Sequence, residues 1–95
     1  HLILIVDGDF TYYDKSTFMQ VCEQYDTELE SITFDLTKAE YLDSSALGLL
    51  IIAKELFAKK NEGVTIAINI VDDTSIKAIM ELSNFKKLFT INYIK

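Results

Sequence analysis

Ser31-Ile32-Thr33-Phe34-Asp35-Leu36-Thr37-Lys38-Ala39-Glu40-Tyr41-Leu42-Asp43-Ser44-Ser45-Ala46-Leu47-Gly48-Leu49-Leu50 changes its hydrophobic period partway along. Over 31–36, Ile32, Phe34 and Leu36 alternate with polar neighbours, the period of a strand. Further on, Ala46, Leu47, Leu49, Leu50, Ala53, Leu56 and Phe57 form a broad apolar face at helical spacing, suited to a helix pressed against a sheet. Residues 37–43 read as the connection between the two, bringing Tyr41 and Leu42 back to the core. Asp43 or Ser44 then opens a helix that runs to about residue 60. A strand followed by a full helix cannot return as a tight hairpin, so the next strand lies parallel to it.

The flanking sequence repeats the same alternation of elements. Upstream, Leu2-Ile3-Leu4-Ile5-Val6 is a continuous aliphatic run closed by Asp7-Gly8-Asp9, which predicts a strand covered on both faces or nearly so. From Asp14 onward, Phe18, Val21, Cys22, Tyr25 and Leu29 fall at the spacing of an amphipathic helix of about 15 residues. Downstream, Asn61-Glu62-Gly63 stops the central helix, since Asn and Gly both accept a left-handed cap. Residues 64–71 form a third strand, too apolar to have a wet face. Asp72 or Asp73 caps a further helix that turns Ile76, Ile79, Met80 and Leu82 inward, and Asn84 ends it. In 88–94, Phe89, Ile91 and Tyr93 alternate against Thr90 and Asn92.

The order β-α-β-α-β-α-β predicts an α/β fold: a mixed, mostly parallel sheet of four strands, or five if 11–13 pairs locally. Right-handed crossovers place the helices mainly on one side. Ile5, Phe34, Leu47, Leu50, Phe57 and Ile68 are expected in the core.

A chain of 95 residues makes one domain, spanning 1–95. Its 49% hydrophobic content, three glycines and absence of proline suit dense regular structure. The net charge of −6 is uneven: ten acids against two lysines in 1–43 give −8, while five acids against seven lysines in 44–95 give +2. The acidic half argues against nucleic acid as a partner. Lys54, Lys59, Lys60, Lys86 and Lys87 read as solvated helix and turn faces. A lone cysteine excludes an intrachain disulfide and a cysteine-rich metal site, and Cys22 on an apolar stripe reads as a small buried hydrophobe. With no signal peptide and no membrane span, the expectation is a cytoplasmic domain without direct membrane contact. His1 is assigned no role.

Ile3-Leu4-Ile5-Val6-Asp7-Gly8-Asp9-Phe10-Thr11 resembles the nucleophile motif of haloacid-dehalogenase-type phosphatases. On that reading Asp7 attacks phosphorus, Asp9 protonates the leaving oxygen, Thr37 supplies a hydroxyl, and Asp72 and Asp73 help hold Mg²⁺. That fold needs a core considerably larger than this chain, and no lysine is convincingly placed to balance the phosphate. Capping and turn roles explain the same acids. A response-regulator receiver fails because Asp35 lies inside the second strand.

The segment 34–50 resembles the STAS domain of anti-sigma factor antagonists, in which a strand and short connection lead to Asp-Ser-x-Gly-Leu-Gly before the second helix. The resemblance extends along nearly the whole chain. Asp7-Gly8-Asp9-Phe10 is similar to the family's turn after the first long strand, and Glu81-Leu82-Ser83-Asn84-Phe85 to its helix end. An initial strand common in the family is missing or lies upstream of His1.

The resemblance implies that Ser44 is the serine phosphorylated by a cognate kinase, with Asp43 and Ser45 supporting it. Asp9, Phe10, Thr11, Tyr12, Ala46 and Leu47 would then form the partner-binding surface, with Phe10 or Tyr12 as an aromatic anchor. The implied partners are an anti-sigma factor that is also a serine kinase of the histidine-kinase-like ATPase type, and a serine phosphatase. No cofactor or metal is implied, and no enzyme activity. A STAS module serving a transporter or stress-sensing assembly is the alternative within the fold. Two departures stand out: Ala46 replaces a usual glycine, and Thr11 a usual Asp or Asn. Residue chemistry agrees with the role of Ser44, because unpaired N–H groups and the dipole at a helix start favour an anion. Ser45, rotated by about 100°, is expected to satisfy local hydrogen bonds or pack inward.

Overall fold

The strands β1 (Leu2–Phe10), β2 (Ser31–Leu42), β3 (Thr65–Val71) and β4 (Thr90–Ile94) lie side by side in the order β1-β2-β3-β4, and every neighbouring pair is parallel. The computed structural model describes residues 1–24, 29–72 and 75–94, in full except for the Tyr12 side chain. Helices α1 (Lys15–Gln24), α2 (Ser44–Lys60) and α3 (Ser75–Leu82) make the three crossovers. Each strand is added on the same side of its predecessor, so right-handed crossovers gather the helices on one side of the sheet. The sheet is therefore wholly parallel rather than mixed. The local fifth strand expected at 11–13 is instead a 3-10 turn, Tyr12–Asp14.

One-sided coverage corrects the reading of the first strand. β1 is an edge strand with alternating burial: Leu2, Leu4 and Val6 pack against the core, whereas Ile3 and Ile5 are 51% and 60% exposed. Ile5 is thus not a core residue. β3 alternates as well, with Ile66, Ile68 and Ile70 buried while Ala67, Asn69 and Val71 are only half-buried. An aliphatic run records high hydrophobicity and not the number of covered faces.

β2 is longer than the sequence suggested, because residues 37–42 continue the strand through two irregularities. Its register with β1 slips between Ile5 and Asp7 and again between Gly8 and Asp9. At each slip β2 carries one residue more than β1. The core-facing series in β2 is accordingly Ile32, Phe34, Leu36, Ala39 and Leu42, with two steps of two followed by two of three. Two threefold steps restore the parity, so Leu42 returns inward and Tyr41 stays outside, 54% exposed. Gly8 faces Ala39 in this register with φ +77, a conformation that costs glycine little.

Phe34, Leu47, Leu50, Phe57 and Ile68 are buried as expected. Phe10, Phe18, Phe34 and Phe57 form a ladder through the interior, with successive ring centroids 5.1, 5.9 and 6.5 Å apart. Each large side chain taken fully from water contributes about 1.5–3 kcal/mol. Cys22 is buried on α1; Tyr25, expected on the same stripe, lies outside the described residues. In α3, Ile76 and Met80 are buried, but Leu82 is 86% exposed on the last turn.

The helix ends also differ in detail from expectation. Asn61 is extended rather than left-handed, and it is buried. Its amide donates to the Phe57 carbonyl at 3.2 Å and accepts from the Leu29 N–H at 2.7 Å, joining the end of α2 to the entry of β2. Gly63 provides the positive φ instead. Asn84 does take the left-handed conformation after α3. Asp73, one of the two candidate caps of α3, lies outside the described residues. The other, Asp72, pairs with Lys77 at 2.6 Å.

Candidate functional site

Parallel strands deliver their following segments to one edge of the sheet, and here the ends of β1 and β2 coincide. Asp9 lies in register with Tyr41, and Phe10 with Leu42. The chain then enters α2, which touches the Tyr12–Asp14 turn. The turn after β1 and the start of the Ser44 helix thus share one edge of the molecule.

Asp43 caps that helix. Its backbone is extended, and its Oδ1 accepts from the Ala46 N–H at 2.8 Å. The Asp43 carbonyl accepts from Ala46 and Leu47 N–H at 3.1 and 3.4 Å. The carboxylate therefore occupies an N–H group of the first turn and fixes where the helix begins. Ser44 and Ser45 follow as the first two helical residues, and both are exposed. Of the two alternatives expected for Ser45, inward packing does not occur, so exposure alone does not separate the two hydroxyls.

The neighbouring turn has its own cap. Thr11 Oγ1 accepts from the Tyr13 N–H at 3.3 Å, and Asp14 Oδ2 accepts from the Thr11 N–H at 2.8 Å. This reciprocal arrangement is a variant of the capping box in which the hydroxyl takes the N–H of the second residue of the turn rather than the third. Threonine thus caps this turn at a position where the resembled family usually has Asp or Asn. The Tyr12 side chain lies outside the described residues.

Three residues expected on the partner surface are buried. Phe10, Ala46 and Leu47 are 2%, 0% and 6% exposed, and the Phe10 ring packs tilted against Phe18 instead of standing free as an anchor. Their apolar chemistry draws them under the surface they support. The exposed residues around this edge are Asp9, Glu40, Tyr41, Ser44 and Ser45, with Asp43 half-buried. Tyr41 was assigned to the core from its sequence. The two threefold steps in the apolar series of β2 were the signal that it faces out.

The acids of the phosphatase reading are dispersed. Asp7 lies within β1, opposite Lys38, rather than at a strand end, and Asp72 lies beyond β3, two strands away. Thr37 donates its hydroxyl to Asp35 at 2.7 Å. Among the described residues, no three His, Cys, Asp or Glu side chains are grouped to hold a metal. None of the described helices is long and apolar enough to cross a membrane.

Parallel sheet, one-sided helices and an exposed serine pair behind an aspartate cap define a small α/β module whose prominent site is a helix start. The chain belongs to the STAS domain family, whose model matches residues 1–93. It is 30% identical over 91 residues to a STAS-domain containing protein of Pseudomonas aeruginosa, covering 96% of this chain and 87% of that one. STAS domains are in general regulatory modules that act through protein–protein contacts rather than catalysis.

Proposed function

We propose that the chain is a phosphorylation-switched adaptor, an anti-sigma factor antagonist that sequesters a kinase-type anti-sigma factor while Ser44 is unmodified. The observation that carries this reading is the position of Ser44: exposed, first in α2, and directly after the residue that caps it. Asp43 already fills the capping role, so the Ser44 hydroxyl is not needed to hold the helix. A phosphate there meets the positive end of the helix dipole and leaves the fold intact.

The surface changes far more than the fold. Phosphorylation adds about −1.5 to −2 charges directly beside Asp43, on the acidic half of the chain. A partner packed on a neutral hydroxyl then has to desolvate a bulky anion next to existing carboxylates. A penalty of about 3–4 kcal/mol weakens binding some hundred- to thousandfold. The partner, which carries the ATP, performs the transfer to Ser44, and a serine phosphatase restores the binding form. The whole cycle is cytoplasmic in this reading.

The test is a calorimetric titration of the chain with an ATPase-type anti-sigma kinase, before and after incubation with ATP. Tight binding that is lost on phosphorylation supports the adaptor. Absence of binding in both states contradicts it.

A further inference from the structure

At the opposite edge of the sheet, Lys54, Lys86 and Lys87 line one pocket of about 340 Å³ together with Thr65 and Thr90. Thr65 opens β3 and Thr90 opens β4, so the pocket sits at the N-terminal ends of the strands, away from Ser44. The fold gathers these lysines for identifiable reasons. Asn84, left-handed after α3, lets the following turn bury Phe85 and Phe89, whose rings stack at 5.3 Å. With those two rings held inward, Lys86 and Lys87 are exposed. On α2, burial of Leu50, Ala53 and Phe57 leaves Lys54 half-buried at the flank of the apolar stripe.

The charge balance is unusual for this chain. Its net charge is −6, yet no carboxylate lines the pocket. Among the described residues none of these three lysines has an ion-pair partner. Three unneutralised ammonium groups around one depression repel one another, and an anion between them relieves that repulsion. Thr65 and Thr90 add further polar residues to the lining. Lysines act as mobile point charges that suit phosphate and carboxylate oxygens without demanding one planar geometry. The volume lies at the small end of ligand sites.

We propose that this pocket binds a small multivalent oxyanion, a ligand bearing two or more phosphate or carboxylate groups. The site is separate from the Ser44 surface and does not depend on its regulation.

The test is an NMR titration of the ¹⁵N-labelled full chain with pyrophosphate and, in a second arm, with citrate, at constant ionic strength. The expected result is saturable amide shifts centred on Thr65, Lys86, Lys87 and Thr90. Binding should weaken at least about tenfold, or 1.4 kcal/mol, in Lys54→Ala/Lys87→Ala. Tighter pyrophosphate binding assigns a phosphate ligand, and tighter citrate binding a carboxylate. Lys86→Gln/Lys87→Gln serves as a second variant if the first melts early. Ser44→Ala should leave the titration unchanged. Shifts that rise linearly and spread equally to Lys15, Lys38 and Lys59, or saturable binding that both lysine variants retain, would overturn the proposal.

Discussion

Phe10, the last residue of β1, lies in register with Leu42, the last residue of β2, and both are buried. Since Asp43 follows Leu42 directly, this core contact fixes the position from which the Ser44 helix departs. The candidate surface therefore owes its placement to two residues that are not part of it.

Phe10→Ala should cost about 3–5 kcal/mol, the range for truncating a buried aromatic. It removes the top rung of the Phe10-Phe18-Phe34-Phe57 ladder and the anchor of the Thr11 turn. Urea melts give the loss, and hydrogen exchange should show Asp14, whose N–H is bonded to the Thr11 carbonyl at 3.0 Å, losing protection.

Asp43→Ala should cost about 0.5–2 kcal/mol, because the Ala46 N–H loses its side-chain acceptor. Asp43→Asn and Asp43→Ser should recover most of it. Equal destabilisation by Asn and Ala would mean that the cap contributes through charge rather than through its hydrogen bond.

The two leucines Leu50 and Leu82 give an internal comparison, being 0% and 86% exposed. Leu50→Ala should cost about 2–5 kcal/mol. Leu82→Ala should fall within about 0.5 kcal/mol of the parent. Chemical denaturation of both variants checks which residues face the sheet.

Most of the architecture was legible because each helix shows a stripe at helical spacing and each strand either an aliphatic run, as in 2–6 and 64–71, or strict alternation, as in 31–36 and 88–94. The misreadings have local causes. Ile5 looked buried because a parallel strand is normally covered on both faces, and nothing within 2–6 records that the helices cover only one face of this sheet. Residues 37–42 looked like a loop because the slips in β2 break strict alternation, although the series Leu36, Ala39, Leu42 preserved the signal. At the candidate site, capping chemistry put the helix start at Asp43 or Ser44, and only the family resemblance singled out Ser44 as a phosphoacceptor. That Phe10, Ala46 and Leu47 support the surface from below depends on how β1, β2 and α2 pack together, which no local pattern encodes.

Burial pushes the Cys22 thiol from 9.0 up to about 11, with Glu23 adding to the rise and Lys60 opposing it. The unfolded chain loses this proton first, so the thiol's contribution to stability is full below about pH 9 and disappears as pH rises through 11. Between those limits the parent should lose stability more steeply than Cys22→Ala, measured by urea melts at closely spaced pH values. Matching slopes would contradict the shift. Native Cys22 should also react slowly with a thiol-directed disulfide reagent at pH 8 and fast in denaturant.

The most direct test of the adaptor reading is phosphosite mapping after incubation with the cognate kinase and ATP, paired with affinities of the Ser44 variants for that kinase. Both hydroxyls are exposed, so the chemistry at the cap must decide between them. The account predicts label on Ser44, full binding without label by Ser44→Ala, and a folded Ser44→Asp that binds more weakly than the parent but less weakly than the phosphoprotein. One carboxylate carries less charge than a phosphate, hence that order. Label confined to Ser45, or unchanged affinity in Ser44→Asp and in the phosphorylated chain, would contradict the switch and leave Asp43-Ser44 as a helix cap alone.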